Sequence, residues 1–365
     1  MRIGFNGRPF CQDQIRGLGR HTLELIKHIH KQHPDVEFFI YSYQKISPYY
    51  AQELPYAKIR DKSLSPKIFW DLFRLGRDVK NDQLDLFHST NNLGVPFFPL
   101  SRIPIFTTIH DHFTHNARVK LGMGLRGIWG YLNYQIELFL LKRSKHFFSV
   151  SEDAKKKIHQ HMGLSLDSIT VAYNGANLKP LKKTHDDEMF FLYVGGLEER
   201  KNIITMLRAF LEFSAESSSE AKLKIVGSLN SATSEVRELL KNHSSVFYST
   251  GFVTDRELTE LYENAEALIF PSLEEGFGLP LVEGMGLGCP IICSDIEVFK
   301  EIADGVALFF PAKDSQALKA QLMKLHLDKD LREDLIRKGY KRAEKFTWDA
   351  MAHKVFNTYL DFLKR

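Results

Sequence analysis

Short apolar runs alternate with amphipathic segments along the whole chain. Arg2 to Asn6, Val36 to Tyr41, Leu84 to His88, Ile103 to Ile109, His146 to Ser151 and Ile169 to Gly175 read as strands. Between the first two, Leu23, Ile26 and Ile29, with neighbouring Leu25, form one apolar stripe and predict a helix over His21 to His30. Ser151 is placed to cap a helix starting at Glu152. Strands alternating with helices predict an α/β fold with a parallel sheet, whose ligands gather beyond the carboxyl ends of the strands. The pattern stops over 178–188, a polar, unpatterned stretch that reads as a linker. It then resumes with strands at Phe190 to Gly196, Leu223 to Gly227, Val246 to Val253, Ala267 to Pro271, Pro290 to Ser294 and Ala307 to Phe310. Helices are expected at Ile203 to Phe213, Glu257 to Ala265, 314–327, 330–345 and Thr347 to Leu363. Two domains follow, 1–177 and 189–345, with a last helical segment over 346–365.

The most informative stretch is Ser272-Leu273-Glu274-Glu275-Gly276-Phe277-Gly278-Leu279-Pro280-Leu281-Val282-Glu283. It follows a buried strand closed by Pro271, and Pro280 suits the first turn of a helix. Gly276 and Gly278 let backbone approach a ligand and leave free amides at the helix start, where phosphate or sugar oxygens fit. Glu275 in the loop and Glu283 one turn into the helix offer acceptor-only oxygens suited to paired sugar hydroxyls. At the end of the strand from Phe190, Arg200 and Lys201 precede a helix and suit a diphosphate, which needs positive charge and free amides. Gly17-Leu18-Gly19-Arg20 follows strand one and reads either as a phosphate cradle or as a tight turn. His110 ends its strand as a core, capping or ligand-facing group, and Asp111 beside it can orient the imidazole.

The length, 365 residues, suits two cores. Hydrophobic content of 44% and charged content of 26% are those of a soluble globular chain. Cys11, Cys289 and Cys293 show neither metal-ligand spacing nor an even framework, which implies a reduced, cytoplasmic setting. No leader and no membrane-spanning run is evident. Residues 1–180 carry a net +10 and residues 181–365 a net −6, which points to an anionic partner for the first domain. Lys120 to Trp129, basic and aromatic, reads equally as a stretch lying on an anionic bilayer or as a packed helix with snorkelling ends. Residues 131–141 read as core. Asp328-Lys329-Asp330, the one Asp-x-Asp, sits at a helix junction and reads as capping, so no metal is called for.

The E-G-F-G-L-P-x-x-E stretch resembles the E-x7-E signature of retaining glycosyltransferases of family 4, which have the GT-B fold: two Rossmann-like parallel-sheet domains facing across a cleft, the final helix crossing back to the first. Gly17-Leu18-Gly19-Arg20-His21 is similar to that family's G-I-G-R-Y loop near the donor diphosphate, with histidine in place of the aromatic. Thr108-Ile109-His110-Asp111 resembles its T-x-H-D segment, Val171 to Gly175 its V-x-x-N-G ending and Leu197 to Asn202 its L-x-x-R-K-N loop. Gly196 stands where many relatives carry arginine. The resemblance implies that Lys201, aided by Arg200, holds the donor pyrophosphate together with the amides of Gly276, Phe277, Gly278 and Leu279. It further implies Glu283 on the ribose, Glu275 and His110 on the transferred sugar, and Gly251, Phe252 and Val253 beside the base. His110, Glu275, Lys201 and Arg200 are thus the candidate catalytic residues.

The expected function is transfer of a hexose with retention, without cofactor or metal, from a nucleotide sugar. GDP-mannose is the first donor because the loops most resemble mannosyltransferases of bacterial surface-polysaccharide and lipopolysaccharide assembly. The implied acceptor is a glycan or lipid-linked saccharide, at or near the inner face of the cell membrane, with no nucleic acid partner. UDP-sugar or dTDP-sugar donors and a catalytically silent scaffold are the alternatives. A 2-epimerase would not be expected to carry the E-x7-E stretch. A dinucleotide dehydrogenase would need a third glycine after Gly17 and Gly19, where Thr22 stands.

Overall fold

The computed structural model describes residues 1–11, 17–61, 70, 74–92, 95, 103–110, 135–136, 138–176, 189–217 and 220–364. Asp111, the Lys120 to Trp129 stretch and the 178–188 linker lie outside them. The chain forms two compact units, Met1–Asn174 with Trp348–Arg365, and Gly175–Thr347.

The first unit is built on seven strands: β1 (Arg2–Asn6), β2 (Glu37–Tyr41), β3 (Lys58–Arg60), β4 (Leu86–Ser89), β5 (Ile105–Ile109), β6 (His146–Ser149) and β7 (Ile169–Val171). They pair in the order β3-β2-β1-β4-β5-β6-β7, every pairing parallel. Phe5, Phe38, Phe39, Phe87 and Phe106 are buried in this sheet, as expected when helices cover both faces. The order reverses between β1 and β4, so the loops after those strands splay apart and leave a crevice at their carboxyl ends. Helix α1 (Gly17–Gln32) follows β1. It starts at Gly17, four residues before the expected start at His21, so Gly17 to Arg20 form its first turn rather than a loop, with amides that have no intrahelical acceptor. Helices α2 (Pro48–Glu53), α3 (Leu75–Asn81) and α4 (Glu152–Met162) also belong to the unit, and Ser151 Oγ accepts the Ala154 amide at 3.0 Å as the α4 cap. Of 131–141, expected as core, Leu141 is buried but Ile136 and Phe139 are exposed. Apolar residues ring this stretch, and a helix resting on one support can bury only one stripe of them.

The second unit has six parallel strands: β8 (Phe190–Val194), β9 (Lys222–Val226), β10 (Phe247–Gly251), β11 (Leu268–Phe270), β12 (Ile291–Ser294) and β13 (Ala307–Phe310). Their order is β10-β9-β8-β11-β12-β13, reversing between β8 and β11. Helices α5 (Ile203–Ser217), α6 (Ser234–Asn242), α7 (Asp255–Asn264), α8 (Leu279–Gly286) and α9 (Glu297–Ile302) lie between the strands, and α10 (Ser315–Leu327) and α11 (Lys329–Ala343) follow β13. Asp328 Oδ1 accepts the Leu331 amide at 2.8 Å and so caps α11.

Helix α12 (Trp348–Leu363) belongs to the first unit. It buries Trp348, Met351, Ala352, Val355, Phe356 and Tyr359, and the Tyr359 ring lies 4.9 Å from that of Phe106. Its first turn is held to α1 by Asp349, which accepts from His28 Nδ1 at 2.7 Å and Lys31 Nζ at 2.9 Å. These bonds, that of His28 first, hold the Asp349 carboxyl down at about 2. Burial opposes protonation of His28, but its bonds to Glu24 and Asp349 outweigh that and raise it.

The Asp349 contribution to stability is present above its unfolded value of 3.8 and is lost as pH falls through about 2. The His28 contribution is present below 6.5 and is lost as pH rises through its raised folded value. Asp349→Asn should therefore cost most between about pH 4 and 6.5 and converge with wild type in acid. Because the carboxylate is half exposed, the maximum is about 1 kcal/mol. Urea unfolding across pH measures the gap, and a gap that does not close in acid refutes the linkage.

Candidate active site

The second unit places two loops beside each other at its switch point, one after β8 and one after β11. The first turns at Gly195 and Gly196, forms a 3-10 turn over Glu199–Lys201 and reaches α5 through Asn202, whose φ is 56°. Asn202 explains why this loop holds its shape. Its amide donates to the carbonyls of Pro271, at 3.1 Å, and Ala312, while its oxygen accepts from Thr205 Oγ1 at 2.7 Å. The Leu273 amide donates to the Arg200 carbonyl at 2.8 Å and clips the two loops together.

Arg200, Lys201 and Glu275 meet as a result. Lys201, only 8% exposed, pairs with Glu275 Oε1 and lies 5.3 Å from the Phe270 ring centroid. Arg200 Nη1 is 3.6 Å from Glu275 Oε2, and Ser272 Oγ donates to Glu275 Oε1 at 3.0 Å. Two cations converge on one carboxylate. Tyr193 lies buried beneath it. Burial first, then the Glu275 and Glu198 charges, hold its hydroxyl well above the usual tyrosine range.

The loop after β11 continues through Gly276 and buried Phe277 to Gly278, whose φ of 99° only glycine adopts readily. Gly278 caps α8, with Leu279 and Pro280 in the first turn, so the helix amides open at the carboxyl end of the sheet. Glu283, one turn in, accepts from Tyr262 Oη at 3.0 Å. Gly195, Gly227 and Gly251 end the adjacent strands β8, β9 and β10, and the Gly227 amide donates to the Gly251 carbonyl at 2.9 Å. Phe252 and Val253 follow Gly251 at the end of β10. They line an open groove of about 410 Å³ along α7 with Tyr248, Leu261 and Asn264, and neither Lys201 nor Glu275 borders it.

The first unit gathers its candidate residues at its own switch point. His110 ends β5, 9% exposed, and its Nε2 donates to the Thr90 carbonyl at 2.8 Å, while its amide donates to Asn92 Oδ1 at 2.6 Å. Burial, then neighbouring His21, keep its imidazole neutral, well below the ordinary histidine range. Gly19 lies on Tyr50, where a Cβ would come within 2.4 Å of the hydroxyl, whereas Gly17 faces open space. Sequence reasoning missed Ser272, Tyr193 and Tyr262. Ser272 alone carried a signal, by standing three residues before Glu275 in the glycine-rich stretch.

Residues 15–179 match Glycosyltransferase Family 4 and residues 177–342 match Glycosyl transferases group 1. The chain belongs to this glycosyltransferase family. The junction of the two matches coincides with the passage between structural units at Asn174 and Gly175. The chain is 28% identical over 172 residues to the O-antigen chain mannosyltransferase B of Escherichia coli, covering 47% of this chain and 45% of that one. It is 28% identical over 222 residues to the O-antigen chain mannosyltransferase RfbU of Salmonella typhimurium, 60% of either chain. The chain thus spans about half the length of these curated relatives. Among solved structures, Anabaena HepE in complex with UDP-glucose superposes with a TM-score of 0.77 at 14% identity, covering 99% of this chain and 100% of that one. The fold of the chain is GT-B, two Rossmann-like parallel-sheet domains.

Proposed function

We propose that the protein transfers a hexose, with retention, from a nucleotide sugar to a glycan or lipid-linked saccharide, and that the donor is GDP-mannose. The cluster of Arg200 and Lys201 on Glu275 carries the reading. Breaking the anomeric C–O bond builds negative charge on the departing diphosphate. Preorganised cations and helix-end amides beside that charge lower the barrier more than they would in water. Lys201 and Arg200 supply the cations without a metal, and Gly276 to Leu279 the amides. Glu275, released in part from Lys201 as the diphosphate arrives, accepts hydroxyls of the transferred sugar, and Glu283 those of the ribose. His110 offers its free nitrogen to a hydroxyl of a sugar ligand. The names of the two O-antigen mannosyltransferases support mannose and a surface-polysaccharide acceptor. The basic first half fits an acceptor presented at an anionic membrane surface. No helix among the described residues is long and apolar enough to cross a membrane.

Thermal unfolding with GDP, GDP-mannose, UDP, UDP-glucose and dTDP tests the donor. At one hundred times Kd a ligand that binds only the folded state adds about 2.7 kcal/mol, a rise in Tm of several degrees. GDP and GDP-mannose should produce it. If only uridine or thymidine compounds do, mannose falls and the transfer reading stays. If no nucleotide does, the transfer reading falls.

A further inference from the structure

Four buried imidazoles sit among the described residues of the first unit: His21 in the first turns of α1, His88 on β4, His110 at the end of β5, and His146 on β6, whose Nε2 bonds Thr170 Oγ1 at 2.8 Å. His88 is accounted for, with Nδ1 on the Tyr359 hydroxyl and Nε2 on Thr108 Oγ1 at 2.8 Å. His21 is not. Its Nδ1 bonds Asn174 Oδ1 at 2.7 Å. An amide oxygen only accepts, so Nδ1 carries the proton and Nε2 keeps the lone pair. That Nε2 is buried and has no hydrogen-bond partner among the described residues. A buried acceptor left unmatched costs about 1–3 kcal/mol, so something other than stability must explain a histidine here.

What the ring touches is His110. The two centroids are 4.5 Å apart and the planes cross at 89°. The next residue on α1, Thr22, bonds Thr90 Oγ1 at 2.7 Å, and the Thr90 carbonyl holds His110 Nε2–H at 2.8 Å. Adjacent residues of one helix therefore fix His110 from two sides, one through the plane of its ring and one through its hydrogen-bond acceptor. With Nε2 committed as donor, Nδ1 is left as a lone pair with no partner among the described residues.

We propose that His21, locked by Asn174, is a positioning residue for His110: it holds the ring so that Nε2–H stays on the Thr90 carbonyl and Nδ1 faces a ligand hydroxyl as an acceptor. This rests on the transferase reading for its ligand, but not for its geometry. The unmatched Nε2 follows, because the proton on His21 must be at Nδ1 to reach Asn174. Phenylalanine would fill the same space and stack edge-on, but could not be locked in rotation.

Two readouts on the full chain test the idea. In ¹⁵N-labelled protein, long-range ¹H–¹⁵N spectra near pH 7 should show His110 protonated at Nε2 alone, and His21→Phe and Asn174→Ala should each give a mixture of tautomers. Asn174→Ala leaves both rings in place, so it decides the matter if His21→Phe does not fold. In transfer assays, His21→Phe should lower kcat about tenfold while the donor KM moves less than twofold. The double variant His21→Phe/His110→Ala should be no slower than His110→Ala alone, since residues acting as a unit are not additive. An unchanged His110 tautomer in both single variants overturns the proposal, as does an additive double variant. The spectra need no turnover, so a chain inert with every donor would refute the transferase reading while the spectra still judge the ring.

Discussion

Lys201→Ala should lower kcat/KM for transfer by about 10²- to 10³-fold, the range for removal of one preorganised donor from developing charge. The variant should also lose the rise in Tm on nucleotide binding. Its stability should fall by about 2 kcal/mol. Removing one partner of a buried pair usually costs about 3–5 kcal/mol, but Glu275 keeps Arg200 Nη1 at 3.6 Å and Ser272 Oγ at 3.0 Å. Glu275→Gln separates the two effects. It frees Lys201 without removing it, so affinity for the free diphosphate should rise or hold while transfer falls, because Lys201 no longer has to leave a carboxylate. Calorimetry with GDP against steady-state transfer makes the comparison. A Lys201→Ala enzyme that still binds and turns over as wild type would remove the central claim about this cluster.

Gly227→Ala should be the most damaging single methyl in the second unit. A Cβ there would lie 2.0 Å from the Gly195 carbonyl oxygen, and the residue has a φ of 146°, where side chains are strained. The clash is with backbone that cannot swing away, because the Gly195 amide is bonded to the Val226 carbonyl at 3.0 Å and Gly227 itself to Gly251. The expected loss exceeds about 3 kcal/mol. Gly251→Ala provides the control: its φ of 71° is also left-handed, but nothing lies within 4 Å of the added atom, so about 1 kcal/mol is expected. Because Gly195 opens the loop that carries Arg200 and Lys201, whatever Gly227→Ala protein folds should also bind the diphosphate poorly. Denaturant unfolding of the pair checks the ranking, and equal losses would refute the steric account.

The strands were legible because a parallel strand buried on both faces is a continuous apolar run, as in Phe190 to Val194 or Ile291 to Ser294. Residues clustered by short loops were legible too: Glu275 and Glu283 from one stretch, Arg200 and Lys201 from another. Elements held by little apolar area were not. Strand β3, Lys58-Ile59-Arg60, lies at the sheet edge and has one apolar residue, and α6 buries only Val236. The start of α1 was misplaced because Gly17 and Gly19 add nothing to an apolar stripe. Pairings across the chain left no mark either. Periodicity shows His21 as a helix position, while its partner Asn174 stands 153 residues away.

A polypeptide that leaves its first unit at Asn174 and returns to it at Trp348 also imposes a schedule on its own synthesis. Residues 175–347 form one uninterrupted unit and can close while the ribosome is still at work. The first unit, begun earlier, must wait. Until Phe356 and Tyr359 emerge, the surface around α1, His88 and Phe106 has no cover, and exposed apolar surface of that kind is what nascent-chain chaperones bind. The portion made first is thus the last to be finished, and a chain cut off just after residue 347 would have the later unit whole and the earlier one incomplete.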